Sequence, residues 1–264
     1  MRPGGRRGFP LLLLFGKGEA TLTLIAALMA SGGPPSGPWL MGAWLLAEGG
    51  WPALRWLFLE APWGPLPPST LLGSPPLPYL HPGSLADRFL RTMGRLADGI
   101  SHRAREVPGF LGALTTALLA LGVGIGLVGS IGGWLTLGAG IALALARRLE
   151  RPGVREGVEG WTVGTFPWWL GLAGGMPSMP ALLVGIPIGL AWMGFEIPQA
   201  RWIAWPLWTI WAVAIGHGPG AYGLALIGLL LGEERIGGSP QARGLLWVLA
   251  LAITAWILRT QPIP

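Results

Sequence analysis

The sequence predicts an all-α polytopic membrane protein: a bundle of about eight transmembrane or partly re-entrant helices, plus one amphipathic helix at the cytoplasmic interface. Three observations carry this expectation. Hydrophobic residues make up 52% of the chain and charged residues only 11%, with mean hydropathy +0.55, whereas soluble domains carry about 25% charged residues. The run from Phe110 to Leu149 is almost uncharged, yet it is pinned by arginines on both sides. Sixteen tryptophans recur near the ends of apolar runs, as at Trp39, Trp56, Trp161, Trp202 and Trp256, where amphipathic indoles favour the water boundary of a bilayer.

Residues 1–61 read as an N-terminal two-pass segment. Arg2, Arg6 and Arg7 precede an apolar run that continues through Lys17 and Glu19 to Ala30 with no small-residue cleavage pattern. A retained first pass over about 9–31, entering from the cytoplasm, is therefore expected. Lys17 and Glu19 either snorkel, pair, or mark a helix that starts near Ala20. The break SGGPPSGP over 31–38 is a turn, and a second pass over 39–59 is interrupted by Gly49, Gly50 and Pro52.

Residues 62–83 form a proline-rich loop, because eight prolines between Pro62 and Pro82 remove donors and clash with any preceding helical turn. Ser84 is a candidate N-cap. Beyond it, Leu85, Phe89, Met93, Leu96 and Ile100 recur at helical spacing while Asp87, Arg88, Arg91, Arg95, Asp98, Arg103 and Arg105 occupy the other face. Residues 84–106 are thus an interfacial amphipathic helix.

Residues 107–264 form the membrane helix bundle. A hydrocarbon core about 30 Å thick takes about 20 residues of helix, so 110–149 makes a hairpin joined at Gly129, Gly132 and Gly133. Its ends carry Arg103, Arg105, Arg147, Arg148, Arg151 and Arg155 while its tip carries no charge, which places those arginines in the cytoplasm. Residues 161–195 form two short or partly re-entrant passes. Residues 202–231 are one long run broken at His217-Gly218-Pro219-Gly220, and 244–258 is a last pass. The count places both ends of the chain on the cytoplasmic side of an inner membrane.

The net charge is +6, but the basic residues sit at the ends of apolar runs instead of forming a stripe, which argues against nucleic-acid binding. Without cysteine there are no disulfides, thiolate metal sites or cysteine nucleophiles. Asparagine is absent and lysine occurs once, as Lys17. Polar groups at membrane depth are costly and mark candidate sites. His217 interrupts an apolar run beside glycines and proline, where a broken helix exposes backbone groups; the alternative is a turn held by its own imidazole. His81 follows the proline-rich loop, and His102 lies on the polar face of the amphipathic helix. Glu156 and Glu159 share a helix face and either hold a hydrated magnesium ion or balance the neighbouring arginines.

Read in order, several pieces resemble a known family. Leu71-Leu72-Gly73-Ser74-Pro75-Pro76, His81-Pro82 and Gly94-Arg95-Leu96 come first, followed by Gly112-Ala113-Leu114. Then come Val158-Glu159, Phe166-Pro167-Trp168-Trp169-Leu170 with Gly174-Gly175, and finally His217-Gly218-Pro219-Gly220-Ala221 with Arg235-Ile236-Gly237-Gly238. Together they resemble the cobalamin-biosynthesis CobD/CbiB family of membrane-embedded adenosylcobinamide-phosphate synthases, in a divergent and shortened form.

The resemblance implies an ATP-dependent joining of an aminopropanol phosphate to a corrinoid carboxylate, with magnesium and ATP as cofactors. It implies His81, Glu159 and His217 as catalytic residues and Glu156 and Glu159 as magnesium ligands. Arg95, Gly73, Pro75, Pro82, Pro219 and Arg235 would bind substrate. Ser74 and Gly220 stand where the family has aspartate and asparagine, and the chain's two aspartates, Asp87 and Asp98, both lie on the amphipathic helix. Two other readings stay open. One is a non-catalytic membrane subunit that packs against membrane-protein partners or its own copies; the other is a small-solute carrier using the break at His217.

Overall fold

The computed structural model describes residues 18–32, 36–61, 84–107, 109–149, 153–175, 178–195, 197–233 and 239–260. Among them every regular element is helical and none is a strand. The helices are α1 (Glu19–Ser31), α2 (37–60), α3 (Leu85–Glu106), α4 (Phe110–Val128), α5 (Ser130–Leu149), α6 (154–172), α7 (Met179–Met193), α8 (Pro198–Ala214), α9 (Gly218–Gly232) and α10 (Pro240–Thr260). Three described spans, Phe110–Val128, Ser130–Leu149 and Gln241–Thr260, are long and apolar enough to cross a membrane.

Local chemistry sets the boundaries. Ser36, Ser84 and Ser178 sit in extended backbone before α2, α3 and α7, and their hydroxyls accept from the amides of Trp39, Asp87 and Ala181, satisfying donors that a helix start leaves open. The α4–α5 hairpin turns at Gly129, whose φ of 85° is sterically poor for a residue with a Cβ. α2 passes through Gly49, Gly50 and Pro52 without the expected interruption. It widens into a π-helical turn at Leu45–Gly50 immediately before the proline. α6 does the same at Trp161–Thr165, ahead of Pro167. A wider turn displaces the carbonyl four residues back that the proline ring would strike.

Glycines let the helices approach closely. α2 lies antiparallel to α4: a Cβ on Gly42 would press on Leu127 and the Gly124 carbonyl, and one on Gly50 would press on Leu121. α6 lies antiparallel to α7, where a Cβ on Gly164 would stand 3.0 Å from the Cα of Gly189. Small residues at such crossings give dense packing where helices gain little from hydrophobic burial against one another. α1 runs against the upper part of α6, with Gly171 on Ala27 and Gly175 on Ser31.

Two ends of the bundle follow from these contacts. One gathers Ala61, Val107, Phe110, Arg147, Arg155, Glu159, Gly194, Arg201 and Leu231. The other gathers Trp39, Gly129, Gly174, Pro180, Trp211, His217 and Thr260. The first is called the arginine end below. The run 202–231 folds into two helices, because Gly216, with φ 81°, and His217 turn α9 back along α8. Thr260 therefore lies away from the arginine end, unlike the expectation that both ends of the chain share it.

The tryptophans divide between two environments. Trp134, Trp202 and Trp256 are exposed, as boundary residues should be, but Trp51, Trp168, Trp205, Trp208 and Trp247 are core. Trp205 stacks on Trp208 at 5.2 Å, and Trp208 meets Trp247 edge-on at 5.9 Å. The indole N–H groups of Trp168 and Trp169 donate to the carbonyls of Ala181 and Leu182, joining α6 to α7.

Close approach at Gly160 sets a test. A Cβ there collides with the Gly189 carbonyl oxygen, whereas Gly122 faces open space. Gly160→Ala should destabilise the protein by about 1–3 kcal/mol, and Gly122→Ala should stabilise it by up to about 1 kcal/mol through helix propensity. Thermal unfolding in detergent reads both; equal effects would show that the α6–α7 contact is not made.

Candidate functional site

The feet of α2, α5 and α6 carry a linked set of charged side chains. Arg55 pairs through Nη1 with Glu159 Oε1 and through Nη2 with Glu60 Oε1 at 3.7 Å. Arg155 reaches the same Glu60 oxygen at 3.8 Å, and Arg147 donates to the Phe58 carbonyl at 3.4 Å. A second π-helical turn, Trp56–Glu60, ends α2 beside this network. The pairs are half-buried, with Arg55 and Glu159 side chains 26% and 32% exposed. Arg55 Nε is buried without a hydrogen-bond partner, so Nη1 and Nη2 carry the contact with the carboxylates.

The expected magnesium pair is engaged by protein groups. Glu156 Oε2 accepts from the Gly153 amide at 2.8 Å, capping α6, while Glu159 faces Arg55. Among the described residues no group of three carboxylates or imidazoles gathers to hold a metal. Each carboxylate would bring an existing protein partner to a shared magnesium ion.

His217 stands at the other end of the bundle, separated from the arginine end by the length of α9, whose 15 residues span about 22 Å. Its Nδ1 accepts from the Gly220 amide at 3.0 Å, and the ring meets Trp256 edge-on at 4.4 Å. With Nδ1 accepting, the neutral ring carries its proton on Nε2, which faces Thr260 Oγ1 at 3.3 Å. The imidazole thus caps α9 and ties it to α10. Pro219 follows in the first turn of that helix. His217 and Glu159 are not brought into one site.

The remaining expected residues divide differently. Gly73, Pro75, His81 and Pro82 lie in 62–83 and Arg235 in 234–238, both outside the described residues. The flanking residues Ala61 and Glu233 are at the arginine end. Gly94 and Arg95 are on α3, which docks at its C-terminal end through Val107 against Ala53, Leu57 and Ala61. Among the described pieces, Gly112-Ala113-Leu114 and Val158-Glu159 lie at the arginine end, whereas Gly174-Gly175 and His217-Gly218 lie at the other.

One buried charge was not singled out by the sequence reading. Glu48, 2% exposed, sits in the π-helical turn of α2, and its Oε1 accepts from both the amide and the hydroxyl of Thr21, each at 2.7 Å. The carboxylate thereby caps α1 from another helix and meets the positive end of its dipole. It lies beside the α4 segment that packs on Leu46 and Gly49, well inside the apolar layer. An ionisable residue within an apolar run was the available signal.

No family model matches the chain, and no curated protein or solved structure is significantly similar to it.

Two measurements address these contacts. Arg55→Gln and Glu159→Gln should each cost about 1–2 kcal/mol, and the double variant less than their sum, because each single change strands the other's charge-assisted bond; additivity in a double-mutant cycle would remove the pair from the structure. Glu48→Ala should cost about 1–3 kcal/mol by leaving Thr21 donors unpaired, and Glu48→Gln less, since the amide oxygen still accepts. Equal losses would mean that charge, not acceptance, holds α1.

Proposed function

We propose that the chain is an integral membrane protein whose helices α1, α2 and α4–α10 cross an inner membrane wholly or in part. In this reading the arginine end is cytoplasmic and the end bearing Thr260 faces the other side. Exposed apolar side chains such as Leu118, Leu119, Ile141, Ile210 and Leu229 suit a lipid environment, and the charged residues suit a polar boundary. Residues 202–231 supply two crossings in place of one, which is the reason this topology differs from eight passes with both ends inside.

Within that frame we propose an activity of the cobalamin amide-synthase kind, joining a corrinoid carboxylate to an aminopropanol phosphate at the arginine end. The observation that supports it is that Glu159, the C-terminal end of α3, and Ala61 and Glu233, which precede the segments carrying His81 and Arg235, lie there. Arginines present planar pairs of donors suited to phosphate. His217 and Pro219 act in this reading as a structural cap on the opposite face.

A second reading is favoured by a specific observation: Glu156 and Glu159 are both occupied by protein partners. A non-catalytic membrane subunit, packing against partner helices or its own copies, needs no free carboxylates.

Purified protein supplied with ATP, magnesium, a corrinoid acid and aminopropanol phosphate separates the two. The synthase reading expects amide product from the wild type, at least tenfold less (about 1.4 kcal/mol in barrier) from Glu159→Gln, and an unchanged rate from His217→Ala. Absence of product together with a stoichiometric co-purifying membrane protein supports the subunit reading. Impermeant maleimide on sealed cells checks the orientation, with Arg259→Cys labelled from outside and Arg148→Cys only after permeabilisation.

A further inference from the structure

α3 presents an apolar stripe that the bundle leaves uncovered. Phe89, Met93 and Ile100 are 60%, 41% and 37% exposed, and at 100° per residue they fall within about 40° of one another on the helix surface. The helix is held to the bundle near its C-terminal end, where Arg103 is buried and Val107 joins the Ala53–Phe110 cluster.

The exposed charges of α3 and of the helix feet near its docked end have one predominant sign. Arg88, Arg91 and Arg105 are exposed on α3, and Arg148 and Arg155 are exposed on the neighbouring feet of α5 and α6. Glu106 is held by His102 and Arg103, and Glu60 by Arg55 and Arg155. Arg91 is partly balanced by Asp87, yet its side chain remains 53% exposed. The exposed apolar surface of the α4–α5 hairpin, including Leu111 and Leu145, begins at the same end.

We infer that α3 and the surrounding arginines form a binding surface for anionic lipid headgroups, with Phe89, Met93 and Ile100 set into the acyl boundary of an anionic leaflet. This rests on the membrane reading above and adds a lipid class to it. Apolar insertion alone does not distinguish lipids. The guanidinium groups beside and behind the stripe do, because phosphates on net-negative lipids satisfy donors that a zwitterionic surface offsets with its own cations. Attraction of this kind is weakened by salt within a Debye length. The competing occupants of the stripe are segment 62–83 of this chain and a second copy of the chain, and neither would follow lipid charge.

The chain has no cysteine, so single thiols report one place at a time. Met93→Cys in the full-length protein, carrying an environment-sensitive fluorophore, is reconstituted in nanodiscs of phosphatidylcholine alone or with phosphatidylglycerol. Leu119→Cys on α4 and Ser101→Cys on the polar side of α3 serve as references. The expected result is apolar emission from position 93 that strengthens with phosphatidylglycerol and recedes with salt, while position 101 stays aqueous. Arg88→Gln with Arg105→Gln should reduce the lipid-dependent shift. Phe89→Cys gives a second reporter should the first variant fold poorly. Emission at position 93 that is the same in both lipids overturns the proposal, whether aqueous throughout or apolar throughout because the chain covers the stripe itself. Aqueous emission from position 119 would instead remove the membrane reading on which it rests.

Discussion

Charge is expensive to bury away from water, and that cost organises this molecule. An isolated guanidinium or carboxylate in an apolar interior is tolerated only with a partner. Arg55, positioned by the last turns of α2, meets Glu159 and Glu60, and Arg155 and Arg147 close the network from α6 and α5. The ion pairs thus do two jobs. They allow three helices to converge at their polar feet, and they leave the shafts above free to pack through glycine, alanine and leucine.

The shafts show the complementary solution. Helices joined by little more than dispersion forces must approach closely, and the contacts at Gly42, Gly160, Gly164 and Gly171 remove the side chains that would hold backbones apart. Several polar groups that enter this layer are capped. Thr165 donates to the Gly185 carbonyl, Trp51 to Thr136, and Glu48 accepts from Thr21. Trp205, Trp208 and Trp247 have buried indole nitrogens without a hydrogen-bond partner, and their rings lie against one another.

What could be read in advance was local. The turn at Gly129, the cap at Ser84, the amphipathic period of α3 and the break at His217 all depend on neighbours in sequence, and each stands where residue spacing put it. What could not be read depended on distant partners. Glu48 meets a threonine 27 positions earlier, and nothing in the run LLAEGG announces that helix start. A tryptophan's amphipathic ring suits a bilayer boundary and a packed core alike, so Trp168 and Trp202 looked equivalent until their neighbours were known. His217 and Glu159 seemed able to share a pocket only while the fold-back of 202–231 into two antiparallel helices was unknown. The described part of the candidate site was legible as a set of arginines and glutamates, but the pairing that occupies Glu159 needed Arg55, 104 positions away.

The π-helical turn at Leu45–Gly50 has a consequence for how this segment tolerates length changes. Such a turn is equivalent to one residue inserted into an α-helix, and deleting a residue there would restore ordinary winding while rotating everything on one side by about 100°. Glu48 would swing off Thr21, and the flat glycine face at Gly49 and Gly50 would leave Ala120 and Leu121. The bulge therefore acts as a phase adjuster, keeping two faces of a single rod aimed at different neighbours.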